Sequence, residues 1–240
     1  MRIGVVCEGP TDFVVMRSFF AKDLRKDFGP IDFQIIQPAL DNTLPGGWSQ
    51  VLYWLENNPP ENRSSLYLKG QSLFLRENED VKFDALIFQI DTDIIGEEGF
   101  EKFCRDRGLT ASKPVEPDRR ADLIRGILVS ISSRSSIGEA IGASEVPIAI
   151  VEACETWVVA AGISDCNAEA MTAEETRNNF GKVFARLSGQ KERKSYKNIN
   201  KNVKSRKRIC SKLCEEATPR GRAAHYDLCL EHIQQAIRGT

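Results

Sequence analysis

The stretch that most constrains this chain is its beginning, where Ile3-Gly4-Val5-Val6-Cys7 runs directly into Glu8-Gly9-Pro10-Thr11-Asp12. The small and apolar run is too short for an independent helix and is broken at once by Gly-Pro, so it reads as a buried strand. Glu8 then stands at the strand's C-terminal end. Open α/β sheets bind ligands at that edge, so a carboxylate there is placed for chemistry. The following segment, Phe13 to Leu24, carries apolar residues at helical spacing behind Thr11 or Asp12 as a cap.

A second acidic strand end lies far down the chain. Phe83-Asp84-Ala85-Leu86-Ile87-Phe88-Gln89-Ile90 is the strongest strand signal in the sequence, and it ends in Asp91-Thr92-Asp93. In an extended segment residues two apart share a face, so Asp91 and Asp93 can aim at one site. Glu8, Asp91 and Asp93 at one sheet edge would repel and raise one another's pKa values, which a hard divalent cation such as Mg²⁺ relieves.

Strand-Glu8-Gly9-Pro10-Thr11-Asp12-helix, followed later by strand-Asp91-Thr92-Asp93, resembles a TOPRIM domain, the metal-dependent fold of topoisomerases, DnaG-type primases and OLD-type nucleases. Pro147 to Ala161, with Glu152, Glu155 and Trp157 at a strand-to-helix junction, is similar to the Glu-x-Trp segment of small TOPRIM-like proteins found beside ATPase genes in bacterial defence operons. Those proteins often carry an acid at the place of Ala161. The resemblance covers roughly residues 1–165. It implies a TOPRIM-like, mostly parallel α/β sheet flanked by helices and, from OLD-type relatives, a two-metal site. Glu8, Asp91 and Asp93 would hold Mg²⁺ or Mn²⁺, Asp12 would orient Glu8 or bind metal through water, and Glu152 and Glu155 would be outer candidates. Glu152 as a helix cap and Glu155 paired with an Arg or Lys is the competing reading. Glu97, Glu98 and Glu101 follow the aspartates closely and read as first-turn acids that complement a helix dipole.

The formal net charge is only −1, yet it is segregated: Lys182 to Arg222 holds 14 Lys or Arg against three acids. A stripe of this kind attracts phosphates through counterion release, whatever the base sequence. Lys194, Lys197, Lys201, Lys204 and Arg206 are the candidate nucleic-acid contacts, with Lys197 and Lys201 also candidates for the scissile phosphate. A solvated helix face is the plain alternative. Cysteines at 7, 104, 154, 166, 210, 214 and 229 are odd in number and irregular in spacing, which argues against a disulfide framework and suits a reducing compartment. Cys210, Cys214, His225 and Cys229 could in principle form a zinc site, but their spacing matches no common finger and both pairs also fit apolar stripes on two packed helices. A chain of 240 residues, 41% hydrophobic, supports a substantial core. With no basic leader and no run of membrane-spanning length, a cytoplasmic protein without membrane contact is expected.

The remaining elements read as a strand at Phe33–Gln37, a helix over Trp48–Glu56 and an ambiguous stretch over 61–82 in which Leu66, Leu68, Leu73 and Leu75 alternate like a hairpin. Helices are expected over 97–107, 119–133, 172–186, 198–216 and 222–238, with a strand over 147–151. The organisation expected is a catalytic unit over 1–165, with an insertion over about 38–82, and a basic helical extension over 166–240. The expected function is metal-dependent phosphodiester hydrolysis by Glu8, Asp91, Asp93 and Glu155. The resemblance implies an effector of anti-phage defence under a partner ATPase, acting on DNA or RNA, with a homodimer left open. Two alternatives stand beside it. One is a haloacid-dehalogenase-like phosphatase with Asp91 as nucleophile and Asp93 as general acid. The other is a non-catalytic subunit that binds nucleic acid or the ATPase.

Overall fold

Strand β1 (Arg2–Val6) alternates faces: Ile3 and Val5 point into one apolar cluster and Val6 into another. The computed structural model describes residues 1–38, 46–69, 82–112, 116–133, 142–199 and 201–239. After β1 come α1 (Pro10–Phe28), β2 (Asp32–Gln37), α2 (Trp48–Asn57), α3 (Pro60–Leu66), β3 (Ala85–Asp91), α4 (Glu98–Arg105) and α5 (Pro117–Ser132). The chain continues through β4 (Glu145–Ile150), α6 (Glu155–Gly162), a 3₁₀ turn at Ala168–Ala170, α7 (Ala173–Ser188), α8 (Val203–Glu216) and α9 (Ala224–Arg238).

The four strands are all parallel in the order β2-β1-β3-β4. Parallel strands need crossovers, and right-handed crossovers that travel in opposite directions along a sheet lie on opposite faces. The helix layers follow that rule. α1, which returns the chain to β2, packs on the first face with α6, α7, α8 and α9, whereas α2, α4 and α5 cover the second. The chain reverses direction between β1 and β3, so the crevice at their C-terminal ends is the topological switch point of the sheet.

The core joins these layers through residues far apart in sequence. Phe20, Trp157 and Tyr226 form an aromatic group with ring centroids 5.0–5.4 Å apart, and the Tyr226 hydroxyl donates to Asp23 at 2.7 Å. Ile209, Leu213, Tyr226 and Ile233 share one cluster with Val5 and Ile148: α9 packs on β3 and β4, while α8 packs chiefly on α1 and α7 on α6, so the helices of the 166–240 segment belong to the core of the first face. On the second face Arg63 is fully buried, donates to both oxygens of Glu145 at 2.6 and 2.8 Å, and also binds the carbonyls of Asn58 and Ser132.

Several boundaries differ from expectation. Gly9, not Thr11 or Asp12, is the N-cap of α1: Pro10 occupies the first helical position, where its missing N–H costs nothing, and Asp12 falls inside the first turn. α8 begins at Val203 instead of Asn198, because the Asn202 side chain accepts from Ser205 N at 2.9 Å and caps it there. The stretch 61–69 holds α3 and a single bridge from Leu68 to Phe83; Leu73 and Leu75 lie outside the described residues. Within the segment read as an insertion, α2 serves as a crossover helix that buries Val51, Leu52 and Leu55 on the second face. Among the described residues no helix is long and apolar enough to cross a membrane.

Candidate functional site

The switch-point crevice is where the two acidic strand ends meet. β3 ends on Asp91, and the Asp91 backbone N–H donates to Glu8 Oε1 at 2.7 Å across the gap between β1 and β3. Gln89, fully buried, donates from Nε2 to Asp91 Oδ1 at 2.7 Å. Asp12 comes from the first turn of α1, and its Oδ1 accepts from the Cys154 thiol at 2.9 Å. Asp93 lies two residues beyond β3 in a turn, not in extended backbone, and its N–H donates to the Glu152 carbonyl at 3.1 Å while Glu152 N donates to Thr92 Oγ1 at 2.8 Å. Glu8, Asp12, Asp91, Asp93 and Glu155 thereby line one cavity of about 370 Å³, together with Gly47, Ile199, Lys201 and Val203.

The outer acids separate. Glu155, buried at the start of α6, pairs with Arg206 Nη2 at 2.6 Å, and the Arg206 guanidinium lies over the Phe180 ring at 4.4 Å. Glu152 does not line the cavity: its backbone is left-handed (φ 57°) and its carboxylate pairs with Arg120. The Glu97 carboxylate accepts from Trp48 Nε1 at 3.1 Å. Of the candidate cations, Lys194, Lys197, Lys201 and Lys204 are exposed and Lys201 borders the carboxylates. Arg206 is fully buried and engaged with Glu155, so it lies beneath the basic surface and is not part of it. Cys210 and Cys229 are core residues, and His225 faces Glu169.

Sequence reading missed three contributors. Gln89 carried a usable signal, a polar residue in an apolar strand two positions before Asp91 and therefore on its face. Cys154 carried none, since a buried cysteine reads as a small apolar residue. Gly46 and Gly47 are the third. Gly47 N donates to the Glu8 carbonyl at 2.7 Å, and a Cβ at Gly46 would sit 2.5 Å from that same oxygen. Gly46→Ala is therefore expected to push Glu8 out of place and cost about 1–3 kcal/mol, read by chemical denaturation; unchanged stability would show that the loop gives way without cost.

Burial and like charge act together on these acids. Burial, with Asp12 and Asp93 adding repulsion, pushes Glu8 up to about 8, although the Asp91 N–H and Lys201 pull the other way. Asp91 is raised well above the carboxylate range by burial, then by Glu8, Asp12 and Asp93. Asp12 is raised chiefly by burial, and Asp93 is pushed up to about 6 by burial and then by Glu152 and Glu97. An acid raised on folding stabilises the native state fully below its unfolded pKa and loses that contribution as pH rises through the folded value. The melting temperature of the metal-free protein is thus expected to fall by several degrees between pH 5 and pH 8, and circular-dichroism melts across that window would expose a flat or rising profile as the contrary result.

Among the described residues no three His, Cys, Asp or Glu side chains stand together as a metal-ligating cluster. Oxygens of Glu8, Asp91 and Asp12 are turned to the Asp91 N–H, Gln89 and Cys154, and a cation would have to compete with those donors. The donor chemistry nevertheless fits a hard cation. Five carboxylates line one cavity, the charges of Glu8, Asp12, Asp93 and Glu155 stand among the causes that raise the pKa values there, and among the described lining residues the only cationic side chain is Lys201. Comparison of the chain with models of protein families, with curated proteins and with solved structures gave no match.

Proposed function

We propose that the chain is a Mg²⁺- or Mn²⁺-dependent nuclease of TOPRIM type that hydrolyses phosphodiester bonds in nucleic acid. The observation that carries this reading is the meeting of Glu8, Asp12, Asp91 and Asp93 around one cavity at the switch point of a parallel sheet, bordered by Lys201 and an exposed basic segment. Acids brought together without matching cations are costly, and such sites are concentrated where function requires them. The resemblance of the acidic motifs to TOPRIM proteins supports the same assignment, and extends it to an effector of anti-phage defence held in check by a partner ATPase.

In this reading Glu8, Asp91 and Asp93, with Asp12, hold one or two cations. The bound metal supplies an activated water and charge stabilisation at the leaving oxygen. The protein's own groups set the stage. The Asp91 N–H fixes the Glu8 carboxylate, and Gln89 fixes that of Asp91. Lys201, which eases the charge on Glu8, Asp12 and Asp93, draws a phosphate to the cavity, and Lys194, Lys197 and Lys204 hold the flanking backbone. Glu155, matched by Arg206, acts as a positioning residue that fixes the wall from which Cys154 reaches Asp12.

Incubation of the purified protein with single- and double-stranded DNA and RNA, in Mg²⁺ or Mn²⁺ and in EDTA, tests the reading. Metal-dependent cleavage of at least one class is expected. Tight binding without turnover would replace it with a regulatory subunit, and release of phosphate from small monoesters, with nucleic acids untouched, would replace it with the phosphatase.

A further inference from the structure

A second cavity, of about 490 Å³, opens on the same segment that borders the carboxylates. Its lining includes Phe180, Gly181 and Phe184 of α7 and Lys191, Glu192, Arg193 and Tyr196 of the basic stretch, two cations against one acid. Tyr196 is held closely. Its backbone N–H donates to Asn178 Oδ1 at 2.9 Å and its hydroxyl accepts from Arg193 N at 3.0 Å. A Cβ on Gly181 would lie 2.3 Å from the ring, so only glycine lets the ring seat there. The ring is partly exposed, and the cations beside it are exposed.

The position of this cavity matters as much as its lining. Asn198 lines it and Ile199 lines the carboxylate cavity, and neighbouring Cα atoms are only about 3.8 Å apart. An ordered aromatic ring within a cationic rim is the combination that holds single-stranded nucleic acid: the charges follow the backbone and the ring stacks a base. A duplex keeps its bases stacked on each other and offers one to a side chain only at the cost of unpairing and flipping it out, which a single strand avoids.

We infer that this cavity is a base-stacking subsite for a single-stranded nucleic acid whose adjoining phosphate lies at the carboxylates, with Tyr196 as the stacking platform and Lys191 and Arg193 as backbone contacts. The inference rests on the nuclease reading for the position of the phosphate, but the stacking itself requires no metal and no cleavage.

The test is equilibrium binding of fluorescein-labelled 12-nucleotide single strands of thymidine or uridine, and of a fully abasic strand of equal length, measured in EDTA by anisotropy over a salt series. The wild-type protein is expected to bind the base-bearing strands roughly 5- to 100-fold more tightly than the abasic one. Tyr196→Leu removes that difference and leaves abasic binding unchanged, Tyr196→Phe preserves it, and Arg193→Gln weakens both strands alike and lowers the salt slope by about one. Equal wild-type affinity for abasic and base-bearing strands overturns the subsite while leaving the nuclease reading intact if cleavage is seen. Tyr196→Leu weakening both strands equally also overturns it. Absence of binding to every strand also sinks the subsite, and cleavage in Mg²⁺ or Mn²⁺ then decides the nuclease reading by itself.

Discussion

Glu8→Gln and Asp91→Asn are each expected to lower metal-dependent cleavage by at least about 100-fold while making the metal-free protein more stable at pH 8. Both changes are close to isosteric. An amide oxygen at position 8 can still accept from the Asp91 N–H, and one at position 91 can still accept from Gln89, so the local bonds survive. What disappears is a charge that burial and the neighbouring acids oppose, as the raised pKa values of both groups show. Removal of that opposition stabilises the fold, and on the proposed reading removal of a cation ligand lowers cleavage, the opposite signs that mark a functional site and not a structural one. Single-turnover cleavage and melting in EDTA at pH 8 measure the two effects on the same samples. Variants that cleave at the wild-type rate would end the metal-site account, and variants that are inactive and also less stable would recast these acids as structural.

Arg206→Met is expected to destabilise the protein by about 3–5 kcal/mol, because it leaves Glu155 buried and without its cation. At about 2–4 °C per kcal/mol for a chain of this size, the melting temperature falls by roughly 10 °C. The pair is an interior one: the Arg206 and Glu155 side chains are 0% and 6% exposed. Adding Glu155→Gln to Arg206→Met removes the stranded charge, and this double variant is expected to recover most of the loss and to retain cleavage within about tenfold. If the double variant regains stability yet is inactive, Glu155 belongs to the metal machinery and not to its support. If Arg206→Met melts like the wild type, the ion pair contributes nothing and α8 is held by its apolar contacts alone.

These variants also separate what is legible locally from what is not. The two acidic strand ends could be read from the sequence because short apolar runs halted by Gly-Pro or by acids define buried strands through neighbours only a few residues away. The same logic found most helices, and failed at ends where a particular cap decides, as at Gly9 and Asn202. The basic segment was legible as charge, but the burial of Arg206 within it was not.

From the sequence alone came an α/β chain with carboxylates at strand ends and a cationic stretch near the C-terminus, since alternation, run length and charge depend on nearest neighbours. The tertiary structure alone decided that β1 and β3 are adjacent, which brings Glu8 to the Asp91 amide 83 positions away, and that Arg206 turns inward to Glu155 across 51 positions. It also sent Glu152 to Arg120 and set Tyr196 on Gly181. A buried charge takes whichever partner the packing delivers, and packing depends on helix layers and strand order that no local pattern encodes.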